Sequence, residues 1–185
     1  MGKKDRGAVH KLMAWIIVMW GCICFCLMLT LLKAGYVNRY LVDCLTQANL
    51  AALLVDPYHY GSTGELVFAD IIENGQIWEE TLELALGTEA NQKSLGLLEK
   101  VEVVELRFYE VTNAGITESV RLQEGSFATR IHDREAAVQA PDGTKITDSA
   151  LYARIRVPVE LGFGMVVVAD KEHCVDVAGG VENEK

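Results

Sequence analysis

MAWIIVMWGCICFCLMLTLL, residues 13–32, is a run of twenty positions without a formal charge, and Lys11 and Lys33 are the nearest charges on either side. At about 1.5 Å of rise per residue, a helix of this length crosses a hydrocarbon core of about 30 Å. Nine of the twenty are Leu, Ile, Val or Phe. At roughly −0.3 to −0.6 kcal/mol each near the helix centre, they favour insertion by about 3–5 kcal/mol. The run reads as a single transmembrane helix. A secretory signal would have a shorter apolar core, about 7–15 residues, ending in small side chains at a cleavage site. Here Lys33-Ala34-Gly35-Tyr36 follows the run instead. Lipid attachment at Cys22 has Met19 and Trp20 as a poor preceding context.

Charge sets the expected orientation. Lys3, Lys4, Arg6 and Lys11 precede the run, whereas Lys33 and Arg39 follow it. Excess basic residues stay on the cytoplasmic side, which places residues 1–12 in the cytoplasm and the later chain outside the cell membrane. With only about a dozen residues before the span, no cytoplasmic output domain is expected. Residues 1–11 carry a net +3 (four basic groups and Asp5), so with a chain total of −9 the remainder carries −12. Such acidity excludes the basic patches that nucleic acid requires, and it disfavours a second, electrostatic contact with anionic lipid. Its simplest role is to keep an exported domain soluble.

The helical pattern continues beyond the span. In residues 36–55, YVNRYLVDCLTQANLAALLV, apolar side chains fall at Val37, Tyr40, Leu41, Cys44, Leu45, Ala48, Ala51, Ala52 and Val55. Steps of three and four are the helical period. Asn38, Arg39, Asp43, Gln47 and Asn49 occupy the other positions, and Asp56-Pro57 marks the end. Residues 13–55 read either as one helix of about 65 Å or as two that bend at Gly35. Residues 59–64 read as a loop. Ser62 or Thr63 caps a helix over 65–73, Asn74-Gly75 ends it, a second short helix covers 76–86, and 87–94 is a polar connection.

From Lys100 the period becomes two. Val104, Leu106 and Phe108 alternate with Glu105, Arg107 and Tyr109. Residues 112–115 form a turn, and Ile116, Val120 and Leu122 resume the pattern as a hairpin. Phe127, Thr129 and Ile131 suggest a third strand, and Pro141-Asp142-Gly143 a turn. In 151–161, Leu151, Ala153, Ile155, Val157, Val159 and Leu161 face one way; Tyr152, Arg154, Arg156, Pro158 and Glu160 face the other. One face belongs on a core and one in water. Pro158 suits an edge or a late position in the strand. Gly162-Phe163-Gly164 reads as a turn, and 165–169 with 174–178 as a closing hairpin around 170–173. Residues 179–185 read as a disordered tail.

The expected architecture is α+β: a transmembrane helix over 13–32, an amphipathic stem over 33–55, and an extracytoplasmic domain over 56–178. Short helices precede about five or six antiparallel strands, and the stem is the candidate cover for the sheet.

No catalytic or ligand-binding pattern stands out, and no enzyme activity, cofactor or metal is expected. There is no phosphate loop, nucleophile elbow or zinc-protease helix. Cys22, Cys24 and Cys26 point in different directions around the span helix, a poor arrangement for a metal. His59, His132 and His173 lack ligand spacing. Cys44 and Cys174 could form a disulfide in an oxidising compartment or remain free thiols.

The layout resembles the type IV pilin-like group, and within it the TadE/TadG-like minor pilins of tight-adherence systems. Arg6-Gly7-Ala8-Val9 is similar to the Arg-Gly-Ala start before the span in TadE-like proteins. Gln47-Ala48-Asn49-Leu50-Ala51-Ala52 resembles their Ala- and Asn-rich segment after it, and Ala153-Arg154-Ile155-Arg156-Val157 their strand-rich finish. The resemblance implies a pilin-like fold and processing between Gly7 and Ala8. It also implies a bacterial structural subunit whose partners are membrane lipid and protein subunits, its own kind or others. Family processing sites carry glutamate five positions after the glycine; here that position is Leu12. The rival reading is a membrane-anchored extracytoplasmic binding or accessory module with no filament role.

Overall fold

Between Lys3 and Ala51 there is no proline, and nothing in the sequence prevents the backbone from running as one helix. In the computed structural model it does so. The structure describes residues 3–122, 125–134, 136–162 and 164–177, with the side chains of 3–9 outside that description. Helix α1 (Lys3–Ala51) has 49 residues, about 70 Å at the α-helical rise, and continues unbroken through Gly35. It stops at Ala51 rather than Val55. Val55 instead forms a β-bridge with Phe68, because Leu54 and Asp56 are drawn into backbone bonds with Ala69 and Val67.

The short helices depart from the sequence reading. Asp56-Pro57 starts a helix as well as following one: the Asp56 carboxylate accepts from the N–H groups of Tyr58 and His59 and caps α2 (Pro57–Thr63), where a loop was expected. Residues 65–70 are not helical. Asp70, not Ser62 or Thr63, caps α3 (Ile71–Leu86), a single helix where two were expected. Asn74-Gly75 sits inside it without ending it. The Asn74 amide donates to Leu54 O at 3.0 Å, and a Cβ at Gly75 would lie 3.1 Å from the Phe127 ring. The pair is there for close packing, not for a turn. Thr88 then caps α4 (Glu89–Leu95), which occupies most of the expected polar connection.

Five strands follow among the described residues: β1 (Glu102–Thr112), β2 (Gly115–Arg121), β3 (Phe127–His132), β4 (Ala150–Gly162) and β5 (Met165–Asp176). They form one antiparallel sheet in the order β3-β2-β1-β4-β5. The β1–β2 hairpin turns where the sequence places it, with Thr112 opposite Gly115. β5 is one strand, not a hairpin around 170–173. Asp170 and Glu172 lie opposite Arg156 and Arg154, so the charged run reads as a turn in sequence but alternates across a strand in space. The turn into β5 lies between Gly162 and Met165, where the sequence also places one. Pro158 sits beyond the stretch of β4 that β1 pairs, which ends at Arg156. The tail 179–185 lies outside the described residues.

The α+β architecture is therefore a long helix laid along one face of an antiparallel sheet. Val37, Leu41, Cys44, Leu45 and Ala48 of α1, with Ala52 just after it, share one core with Trp78, Leu82 and Leu86 of α3, Leu106 and Phe108 of β1, and Leu151, Ala153, Ile155, Val157 and Val159 of β4. Phe68, Phe108 and Phe127 interlock edge to face, with centroids 5.3 and 5.6 Å apart. A second, smaller core lies on the other face. There the β3–β4 connection crosses over Tyr109 and Tyr152 with Val138, Ala140 and Ile146. The face of β4 assigned to water is thus fully buried at Tyr152.

Leu41→Ala and Leu45→Ala should each lower the unfolding free energy by about 2–5 kcal/mol, while Leu50→Ala on the exposed side stays within about 0.5 kcal/mol. Urea denaturation in detergent micelles, followed by circular dichroism, measures this. Unchanged midpoints in both core variants would show that α1 does not cover the sheet.

Candidate functional site

The functional candidate is α1, because its two halves face different surroundings. From Leu12 to Leu32 the large apolar side chains are exposed, Trp15, Ile17 and Leu31 among the most open. A continuous bare surface of this extent is far larger than the few hundred Å² a soluble monomer leaves in water. α1 is the one helix among the described residues long and apolar enough to cross a membrane, and its apolar window is not buried at all. This fits a single-pass membrane protein.

The second half is stitched into the domain. Val37, Leu41, Cys44, Leu45, Ala48 and Ala52 are buried, and Tyr40 and Ala51 are half-buried. The Tyr40 hydroxyl and the Cys44 thiol both donate to Ala85 O of α3, at 2.9 and 3.4 Å. Burial pushes the Cys44 thiol up. Gly7 and Ala8, the processing candidates, lie on the first turns of the α1 backbone.

Cys44 and Cys174 do not pair; both are free. Cys44 belongs to the core under α1, whereas Cys174 packs with Tyr152 on the opposite side of the sheet, so the sheet stands between them. Burial pushes the Cys174 thiol up to about 12, which leaves it inert. His173 is pushed down by burial and faces the α1 side of the sheet as a neutral ring.

Asn49 is the central residue that the periodicity missed. It is fully buried. Its carbonyl oxygen accepts from Trp78 Nε1 at 2.7 Å, and its amide donates to His173 O at 3.0 Å. One side chain thereby ties α1 to α3 and to β5. The signal was present in its spacing, four residues after Leu45 and eight after Leu41, on the buried stripe. Its polarity assigned it to the wet side.

The outer face of the sheet carries a fixed charge lattice. Arg107 bridges Glu105 and Glu118, reaching Glu118 Oε1 at 2.6 Å. His132 meets the other Glu118 oxygen at 3.0 Å, and the Tyr109 hydroxyl donates to Glu118 at 3.3 Å. Arg154 grips Asp170 with two bonds of 2.7 and 2.8 Å, Arg156 adds a third at 3.1 Å, and Tyr152 donates to Glu172 at 2.7 Å. Burial works against the Glu118 charge, but the bonds from His132 and Arg107 outweigh it and hold its carboxyl below the ordinary range. The Arg154 guanidinium holds Asp170 down to about 2. Every one of these groups is partnered, so the lattice orders strands and offers no poised acid or base.

A groove of about 660 Å³ opens beside α3 and α4, with Leu82, Leu86, Leu97 and Val101 on its floor and Glu79, Glu83 and Glu89 on its rim. Gly96 ends α4 next to it, outside the lining. Its φ of +87° and a Cβ position only 2.3 Å from Glu160 O admit glycine alone.

Asn49→Ala should cost about 1–3 kcal/mol, because it strands the Trp78 N–H and the His173 carbonyl without partners. The same denaturation measurement reads it, and no loss would refute the tie. Glu118 and Asp170 also set a pH dependence. Both are held below their unfolded values, so the unfolded chain takes up protons first as pH falls. Melting temperature should slip as pH falls below about 6.5, where burial holds His173 below its unfolded value, and drop further as pH goes from about 4.5 toward 2. Glu118→Gln should flatten the upper part of that drop. Stabilisation on acidification would contradict this reading.

No protein-family model matches the chain, and no curated protein or solved structure matches it either.

Proposed function

We propose that this chain is a pilin-like, TadE-like structural subunit of a bacterial cell membrane, acting by helix packing and protein contacts rather than by catalysis. The observation that carries the proposal is the unbroken α1: apolar and, apart from Cys26 and Thr30, bare over residues 12–32, and buried against a sheet on one side over residues 37–48. A helix built this way can pack its bare half against identical or related helices without disturbing the domain, because the two halves share no side chains. The basic residues before the span favour a cytoplasmic amino terminus and an extracytoplasmic domain. The acidity of the chain beyond its first eleven residues suits a domain that meets water and other proteins, not nucleic acid.

The rival, an anchored binding or accessory module, draws on the groove between α3, α4 and the end of the sheet. Self-association separates the two. Cys22 and Cys24 are exposed on the bare half of α1. Mild oxidation of native membranes should therefore give a disulfide-linked dimer that Cys22→Ser with Cys24→Ser abolishes. A chain that stays monomeric at every expression level favours the anchored module. Release from membranes by alkaline carbonate would overturn both, and intact mass of the extracted chain reports whether the bond after Gly7 is cut.

A further inference from the structure

Residues 161–169, LGFGMVVVA, form a stretch of nine without a polar side chain, and they end the β4–β5 hairpin on the side facing the span. Two bonds fix that direction. Asn49 reaches His173 O in β5, and Lys33 Nζ reaches Glu160 O in β4 at 2.7 Å. β4 therefore runs antiparallel to α1, and beyond Glu160 the hairpin continues along α1 toward its amino terminus. The helix carries the matching mark. Between His10 and Leu32 its residues are exposed except for half-buried Cys26 and Thr30, which is 8 % exposed. These two continue the stripe of Lys33, Val37 and Leu41 down into the apolar run.

The strand in this region breaks the rule its other half obeys. Farther along β5, Asp170 and Glu172 meet Arg154, Arg156 and Tyr152 on the outer face. Toward the tip, Val168 and Val166 take those outer positions opposite Pro158 and Glu160, while Met165 and Val167 take the inner ones. All four are 45–58 % exposed. β5 is also an edge strand. Soluble edges are protected with charge or proline, and an apolar edge bare on both faces is a site of aggregation in water.

We propose that the tip of the β4–β5 hairpin, at Met165, Val166, Val167 and Val168, is a second membrane contact, seated in the boundary between headgroups and acyl chains of the bilayer that α1 crosses. The proposal rests on α1 being a membrane span. Continuity decides for lipid as the occupant, since the apolar tip lies beside a helix segment that is itself bare and apolar. Depth follows from the backbone. The open edge of β5 carries N–H and C=O groups that need water or headgroups, which excludes the hydrocarbon centre and places the tip at the boundary. Lys33 lies at that level with its ammonium turned outward to Glu160 O, as basic side chains do at the end of a span. The contact is apolar, so the acidity of the chain does not oppose it and anionic lipid is not required.

The full chain reconstituted in phosphatidylcholine vesicles tests this. Photoreactive benzoyl-phenylalanine is placed singly at Val166, at Val168, at Trp20 in the span, and at Ile131 on the opposite edge of the sheet, which is 76 % exposed. After irradiation, Val166 and Val168 should gain the mass of one phospholipid, as Trp20 does, while Ile131 gains none. Lipid adducts at Trp20 without any at Val166 or Val168 would overturn the hairpin contact and leave the span intact. Failure at Trp20 as well would overturn the span itself. A crosslinked dimer through Val166 would overturn it in favour of a second copy paired along β5.

Discussion

The whole arrangement depends on one helix serving two solvents. The same α1 backbone presents Trp15, Ile17 and Leu31 to the outside and Leu41, Leu45 and Ala48 to the sheet. Its small residues make the second role possible. Cys44, Ala48 and Ala52 let the helix approach closely, and Ala153 on β4 does the same from the sheet. The bulk that fills the space between comes from Leu41, Leu45, Leu106, Phe108, Leu151 and Ile155. Without α1 the inner face of β1 and β4 would be an open apolar surface, so the domain and the bare half of α1 are not separable parts. The residues that hold the domain together belong to the same helix that leaves it.

Polar ties give this apolar packing its register. Hydrophobic contact alone tolerates a helix sliding by a turn, because Leu41 and Leu45 would meet similar neighbours. Asn49 removes that freedom, since its two bonds, to Trp78 and to the His173 carbonyl, can be made together in one position only. A buried amide displaced from both partners costs about 1–3 kcal/mol, enough to decide between registers whose apolar burial is similar. On the far side of the sheet, Arg107 and Arg154 play a comparable part between strands: Arg107 joins Glu105 of its own strand to Glu118 of β2, and Arg154 joins β4 to Asp170 of β5, so a slip in register would part these pairs.

The strong periodicities were legible in sequence, and the exceptions to them were not. The long helix, the β1–β2 hairpin and β4 could be read because apolar side chains recur along them at one clear spacing. The α+β class followed, and so did the covering of the sheet by the stem. The misreadings share a cause, which is that local chemistry was taken without its distant partner. Asp170 to His173 look like a turn until Arg154 and Arg156 are known to lie opposite. Asn74-Gly75 looks like a helix end until Leu54 and Phe127 are placed beside it. Asp56-Pro57 both follows one helix and caps the next, and the first role hid the second. Asn49 was assigned to water because polarity was weighed above position. The site proper was half legible: the bare run of α1 is plain in the sequence, whereas the apolar hairpin tip becomes meaningful only when Lys33 and Glu160 are seen to touch.

Continuity at the membrane surface has a mechanical consequence. Many anchored domains hang from a span by a flexible linker and swivel freely. Here α1 is helical from Lys3 to Ala51, and the sheet holds it from Ala48 down to Lys33. No hinge separates the grip from the bare segment, because Gly35 lies within continuous helix and Lys33 is tied to Glu160 just beside it. The domain therefore keeps a fixed orientation to the helix axis, and if α1 crosses a bilayer as proposed, the tilt of the helix becomes the tilt of the domain. Copies packed through the bare helix would hold their outer sheet faces in a repeating orientation without any contact between the domains themselves. A rigid join of this kind is of little use to a tethered binder, which gains reach from flexibility, and of direct use to a subunit whose neighbours must be placed by the helix alone.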